Sequence, residues 1–155
     1  MTTLHCPTAL RSQWPALATA WRAQYPMIFD EDDLRQTRKQ GPKHFVEWFT
    51  AIHIFHRDGV CSLVEKYGYA NHERKNRIVE ELLPEKVAGV VRTWRTKTGA
   101  QPPDLLVYSP TEPSRFWFVE VKGPRDRMRP KQAASHRRLT RELGVRVEIV
   151  KIKFI

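Results

Sequence analysis

Two short apolar segments with acids at neighbouring ends place the strongest constraint on how this chain can fold. Leu105–Tyr108 directly follows Asp104, and Phe116–Val121 carries Glu120 near its end. The residues between them, 110–114, have the Pro, Ser and Thr content of a turn, so the two segments predict a β-hairpin. The pattern therefore indicates that both acids lie at one edge of a small sheet.

Strand alternation decides which side chains at this edge share a face. Side chains along a strand point to opposite faces in turn, so Glu120 and Lys122 lie together while Val119 and Val121 face the other way. With Asp104, this gives two carboxylates and one ammonium, which can hold a hard divalent cation and activate a water. The alternative is a solvated charge pair on a strand, with an Asp that merely follows a proline.

The spacing of these residues resembles the PD-(D/E)XK nuclease superfamily. The run from Glu120 to Arg127, together with Lys131-Gln132, is similar to the VRR-NUC branch of that superfamily. The resemblance covers residues 99–150 and implies a restriction-endonuclease-like core. Two features depart from the family pattern: Gly99 lies further from the Pro-Asp pair than is usual, and His136 stands where an aromatic residue is common.

The resemblance implies roles for the residues at the edge. Asp104 and Glu120 would be the metal ligands, with the carbonyl of Val121 as a third, and the metal would be Mg²⁺ or Mn²⁺. Lys122 would orient the attacking hydroxide or stabilise the charge of the transition state.

The superfamily usually adds one more Glu from the helix before the sheet. Glu47 is the best candidate, for catalysis and as a metal ligand, because it lies in the otherwise apolar helix predicted over residues 44–56. The alternative is a solvent-facing stripe that Glu47 forms with Thr50 and His53. Two further acids, at positions 80 and 81, are reserve candidates.

Gln132 lies near the start of a helix that is predicted from Pro130 to Leu143, with Gly144 as its stop. Its helical spacing with Leu139 and Leu143 predicts that Gln132 points toward the edge where the strands end. The family resemblance suggests a catalytic role beside the water or the scissile phosphate. The alternative is a hydrogen bond that only starts the helix.

Charge is concentrated next to these residues. The chain has 27 Lys and Arg against 17 Asp and Glu, a net charge of +10. The segment 122–141 alone contains eight basic residues and one acid. This favours a polyanionic partner, and nucleic acid is the simplest one. The residues expected to contact its backbone are Arg125, Arg127, Arg129, Lys131, Arg137 and Arg138.

The predicted fold class is α/β, a small mixed β-sheet flanked by helices. Residues 1–42 are predicted to be a helical N-terminal arm, and residues 43–155 a VRR-NUC-like nuclease domain. Cys6 and Cys61 have no metal or disulfide spacing. The chain contains neither a signal-peptide core nor a long apolar run, so we predict a cytoplasmic protein without membrane contact, associated with the nucleoid if the source is bacterial.

The expected function is a metal-dependent DNA endonuclease that selects flaps, junctions or DNA ends in repair or recombination. The region before Asp104 is also similar in pattern to the nuclease domain of the Fanconi-associated structure-specific nuclease. Three alternatives stay open: a binding module that has lost its chemistry, an RNA-directed nuclease, and a basic subunit whose partner supplies other domains. The chain could act as a monomer or as a homodimer.

Overall fold

The computed structural model of the chain describes residues 1–64, 67–68, 72–97 and 100–155. Five strands are found within these residues: β1 (Thr2–Cys6), β2 (Cys61–Leu63), β3 (Leu105–Tyr108), β4 (Phe116–Lys122) and β5 (Val147–Phe154). The same residues form seven helices: α1 (Thr8–Arg11), α2 (Ala16–Gln24), α3 (Glu31–Gln40), α4 (Phe45–Asp58), α5 (Glu73–Leu82), α6 (Glu85–Thr96) and α7 (Pro130–Leu143). None of the helices in this described part is both long and apolar enough to cross a bilayer.

The strands form one mixed sheet in the order β1-β5-β4-β3-β2. β5 is parallel to both of its neighbours, β1 and β4, whereas β3 is antiparallel to both β4 and β2. Helix α7 is the crossover between the parallel strands β4 and β5, as parallel neighbours require. The antiparallel β3–β4 hairpin pairs Leu105 with Val119, so the start of β3 meets the end of β4.

The sheet is buried on both faces, and β4 is buried along its whole length. On one face Val119 and Val121 pack in a core that includes Trp48 of α4. On the other face Phe118 packs in a core that includes Leu139 of α7. Burial of each such side chain contributes about 1.5–3 kcal/mol, so the central strand is held rigidly between two helical layers.

Several predicted element boundaries are confirmed. The hairpin strand β3 and the helix α7 begin and end where the sequence places them, and Gly144 ends α7 in the left-handed conformation with φ 63°. Asp30 and Asp33 form a capping box at the start of α3, which explains the acids at that helix start. Gly99, one of the two departures from the family pattern, lies outside the described residues.

The prediction for the N-terminal segment is wrong in two respects. Thr2–Cys6 is not helical but forms the edge strand β1, which pairs in parallel with β5. The segment is also not an arm outside the core, because Ala18, Trp21 and Phe29 belong to the core beneath the sheet. A five-residue strand with only two apolar side chains is decided by its distant partner β5, which sequence periodicity does not reveal. The start of the nuclease domain at residue 43 stays a prediction.

A half-buried carboxylate joins four elements of this fold. Glu148 on β5 accepts hydrogen bonds from the Arg57 guanidinium at 2.9 and 3.0 Å, from Thr2 Oγ1 at 2.9 Å and from Trp117 Nε1 at 3.1 Å. Burial alone would raise the pKa of Glu148, but its hydrogen bonds, above all those from Arg57, hold the pKa below its ordinary value. The charged form therefore stabilises the fold.

We expect the Glu148→Ala variant to lose about 2–3 kcal/mol, because it leaves Arg57 and the Trp117 N–H short of an acceptor. In a domain of this size the melting temperature should fall by roughly 5–10 °C. A carboxyl with a lowered folded-state pKa stabilises above its unfolded pKa and loses that effect as the pH falls. The difference in melting temperature between the parent and Glu148→Ala should accordingly become smaller as the pH falls. Glu142→Ala, which removes an exposed pair with Arg138, is the control and should change little.

Candidate active site

The hairpin brings the first predicted acid to the end of β4. Asp104 precedes β3, and its Oδ2 accepts a hydrogen bond of 2.8 Å from the backbone N–H of Val121. Glu120 and Lys122, on either side of Val121, are both buried, at 5% and 9% exposure. The structure therefore brings Asp104, Glu120 and Lys122 together at one edge of the sheet, as the strand alternation predicts.

Glu120, Lys122 and Gln132 form a closed hydrogen-bonded triangle. Lys122 Nζ donates to Gln132 Oε1 at 2.9 Å and lies 3.3 Å from Glu120 Oε1, while Gln132 Nε2 donates to that same carboxylate oxygen at 3.0 Å. Gln132 Oε1 also accepts from the Arg129 N–H at 3.2 Å, which caps α7. The helix-start hydrogen bond is therefore present, and the same side chain also fixes the lysine; a catalytic role for Gln132 stays a prediction.

The trio of Asp104, Glu120 and Lys122 lies at the bottom of a cavity of about 730 Å³. This volume is within the usual range for ligand sites, about 300–1,000 Å³. Its rim is basic, since the exposed Arg125, Arg127 and Arg129 line it. A ligand must therefore be anionic at the rim and must reach inward to meet the buried acids.

Glu47 is part of this cavity wall. It lies in the first turn of α4 and lines the cavity with Asp104 and Glu120. The solvent-stripe alternative does not describe the structure, because Thr50 is fully buried and donates to the carbonyl of Val46 at 2.7 Å. A catalytic role for Glu47 stays a prediction.

Three acids sharing one cavity have an electrostatic consequence. Burial, followed by repulsion from Glu120 and Glu47, raises the pKa of Asp104 well above its ordinary value, although the Val121 N–H opposes the shift. Ionised Asp104 is therefore costly unless positive charge is added nearby.

This donor set fits a hard divalent cation. Such ions prefer carboxylate and carbonyl oxygens, and Mg²⁺ often uses only one or two protein carboxylates while keeping several waters. In residues 1–64, 67–68, 72–97 and 100–155, no three His, Cys, Asp or Glu side chains form a ready-made metal cage. Asp104 and Glu120, with the Val121 carbonyl, would be the ligands of an ion whose charge offsets the repulsion felt by Asp104, with Glu47 as the further carboxylate.

The loop that carries Asp104 is held by a residue that the sequence does not mark. Tyr67 is buried, and its hydroxyl donates to the carbonyl of Pro103 at 2.6 Å. Burial and the nearby carboxylates raise the pKa of Tyr67 well above its ordinary value, so the phenol keeps its proton for this bond. Next to it, a Cβ on Gly68 would lie 3.0 Å from the Pro102 side chain, so a larger residue there would require Pro102 to shift by a few tenths of an ångström.

Two histidines also line the cavity, and the sequence does not identify either as a site residue. His136 on α7 places Nε2 3.6 Å from Glu120 Oε2, in the position where the family pattern differs. His44 places Nδ1 3.8 Å from Glu47 Oε2 and adopts a left-handed backbone with φ 74°. Such a conformation is uncommon outside glycine and occurs often at functional sites.

The remaining predicted residues lie at different distances from the cavity. Lys131 and Arg138 line a neighbouring groove that also includes Gln132, and Arg137 lines another beside His136. The reserve acids do not line the cavity: Glu80 binds Arg92 at the surface, and the neighbouring Glu81 is exposed.

Comparison with known protein families matches residues 49–153 to the VRR-NUC domain. No match is found among curated proteins. The matched segment includes the β3–β4 hairpin, α7 and almost all of β5, which together hold the buried acids, the lysine and the glutamine. It implies a nuclease of the PD-(D/E)XK type, a superfamily that usually uses a divalent metal. Since the match covers more than half of its length and contains the whole Asp104–Glu120–Lys122 arrangement, this chain belongs to the VRR-NUC family.

Proposed function

We propose that the protein is a Mg²⁺- or Mn²⁺-dependent DNA endonuclease that recognises the structure of its substrate, such as a flap, a junction or an end. The observation that carries the proposal is the meeting of Asp104, Glu120 and Lys122 at the bottom of a cavity with an arginine rim. A phosphodiester is anionic at the rim and electrophilic at the centre, which matches that arrangement.

The residues of the site have different roles, which follow from their positions. A bound divalent cation would supply Lewis-acid polarisation of the phosphate and a more acidic water. Lys122, held by Gln132 at 2.9 Å, presents a fixed positive charge where negative charge develops in the transition state. The rim arginines bind the backbone of the nucleic acid, which makes binding dependent on salt. The rim charges match phosphates rather than base edges, which supports selection by structure over sequence.

Metal removal is the first test. Cleavage of labelled DNA should require Mg²⁺ or Mn²⁺ and should stop in EDTA. Because a cation that binds only the folded state stabilises it, the melting temperature should also rise when metal is added, even without DNA. Full activity after exhaustive chelation would refute the mechanism.

The substrate is tested with labelled flap, junction, nicked and plain duplex DNA, each beside its RNA counterpart. We expect cleavage near the structural discontinuity and little cleavage of plain duplex. Equal cutting of all four DNAs would refute structure selection, and preference for the RNA set would identify an RNA-directed nuclease. Binding to all of them without cleavage in any metal would identify a binding module.

Glu47 can be tested separately from the trio. Glu47→Gln keeps the shape and removes a charge from the cavity, so the rate should fall about 10–100-fold and more metal should be needed for half-maximal activity. Glu81→Gln, on an exposed surface away from the cavity, is the matched control. An unchanged metal requirement and rate would remove Glu47 from the site and leave the other three residues in place.

A further inference from the structure

A second groove continues from the candidate active site. Its volume is about 760 Å³, close to that of the first cavity. The two share part of their walls, namely His44, Glu47, Arg125 and Asp126. A chain-like ligand in the first cavity can therefore extend into the second without leaving the surface.

Part of this groove is lined by residues near the two ends of the chain, together with one from the segment before α4. Arg11 at the end of α1, Lys43 before α4 and Phe154 at the end of β5 all line it. All three lie outside residues 49–153, so the family match does not include them. β1 pairs with β5 and so brings the beginning of the chain to the site edge of the sheet.

The chemistry of this wall suits nucleic acid. Arg11 and Lys43 are exposed cations, and Arg125 adds a third on the shared side. The Arg11 guanidinium lies over the Phe154 ring, 4.7 Å from its centroid. A guanidinium held over a ring in this way can contact a phosphate and can also stack on a base. Of the acids in the groove, Asp126 already uses its carboxylate to accept the Gly123 N–H at 2.8 Å.

The depth of the active site favours a single strand over a duplex. Glu120 and Lys122 are buried at 5% and 9% exposure, below the arginine rim. A phosphate of a stacked duplex would be kept at the rim by the rest of the helix, whereas an unpaired strand can bend inward. Enzymes whose chemistry is on the base itself meet a similar problem of access and use single-stranded or extruded nucleotides, and grooves for single strands combine cations with aromatic rings.

We propose that the groove lined by Arg11, Lys43 and Phe154 binds a single-stranded arm of the nucleic acid whose neighbouring phosphate lies in the candidate active site. This inference rests on the proposed function, and it makes the N-terminal segment part of substrate selection. It explains at the level of contacts how DNA with an unpaired arm is distinguished from plain duplex.

Binding in EDTA tests the groove without requiring cleavage. Fluorescence anisotropy would compare the full chain with the Arg11→Gln, Lys43→Gln double variant on duplex DNA that carries a 3′ or 5′ single-stranded arm, and on blunt duplex. The Gln side chains keep length and remove charge. The matched control is Arg146→Gln, an exposed arginine stacked on Trp117 at 5.2 Å just before the start of β5, eight residues from Phe154 and at the opposite end of that strand.

For the better-bound arm, the double variant should lose about tenfold in affinity, and the slope of log K against log salt should fall by about 1.4, or about 0.7 for each lost phosphate contact. Blunt-duplex affinity should change less than about twofold, as should every affinity of the Arg146 variant. Unchanged arm binding overturns the inference, and an equal loss on blunt duplex assigns the groove to duplex instead. If the double variant loses affinity only for the arm, and the parent chain never cleaves, the groove is supported and the nuclease proposal is refuted. If the parent chain cleaves and the double variant binds the arm as well as the parent does, the nuclease proposal is supported and the groove is refuted.

Discussion

Replacing Asp104 with Asn is expected to abolish cleavage and, in the same variant, to raise the melting temperature in EDTA. In the parent, the Val121 N–H donates a hydrogen bond of 2.8 Å to Asp104. Asn keeps an oxygen that can accept this hydrogen bond. It removes a buried charge that Glu120 and Glu47 repel. Each kcal/mol gained should add about 2–4 °C in a domain of this size. The parent would thus be less stable because it carries the acid that its chemistry needs.

The pH dependence gives this prediction its sign. Because the folded-state pKa of Asp104 is raised, its contribution to stability is complete below the unfolded value of about 4 and is lost as the pH rises through the folded-state pKa. The melting temperature of Asp104→Asn relative to the parent should therefore increase with pH. Added Mg²⁺ should stabilise the parent and leave the variant almost unchanged, since the variant lacks a ligand.

The control is Asp32→Asn, which removes a partly exposed acid paired with Arg35 on the remote surface of α3. It should change neither cleavage nor the response to Mg²⁺. If Asp104→Asn cleaves normally, the site assignment is wrong. If it melts below the parent across the whole pH range, the three acids do not repel one another as their placement indicates.

The parts of this site that the sequence predicts correctly depend on local rules. Alternation along β4 places Glu120 and Lys122 on one face, turn residues join the hairpin, and helical spacing aims Gln132 at the strand ends. Each rule involves residues close together in the chain, so periodicity and turn chemistry are sufficient.

The parts that the sequence does not predict depend on contacts between distant residues. Tyr67 supports Pro103 across 36 positions, and Arg57 reaches Glu148 across 91. Strand β1 forms only because β5 offers it an edge, and Arg11 enters the groove as a result. Neither a lone tyrosine nor a short Thr-rich segment carries a periodic signal, so these roles become visible only in the folded chain.

Lys122→Ala should also produce a large loss of activity, about 10³-fold, which is typical for removal of a fixed group that stabilises transition-state charge. Binding should change by only a few-fold, because Lys122 is 9% exposed and lies beneath the rim rather than on it. Gln132 would then lose one hydrogen bond but keep those to Glu120 and Arg129. The start of α7 should therefore stay intact, and the melting temperature of the variant should stay close to that of the parent.

The combined Arg125, Arg127 and Arg129→Ala variant should behave in the opposite way. These side chains are exposed on the rim, so their loss should weaken DNA binding and lower the salt slope by about 0.9 for each phosphate contact removed. Cleavage at saturating DNA should recover most of the parent rate, since the buried trio is unchanged. Steady-state cleavage over a range of DNA and salt concentrations separates the two variants. A Lys122→Ala protein that loses affinity and keeps its rate would place the lysine on the binding surface, because only a group that acts in the transition state lowers the rate of fully bound substrate.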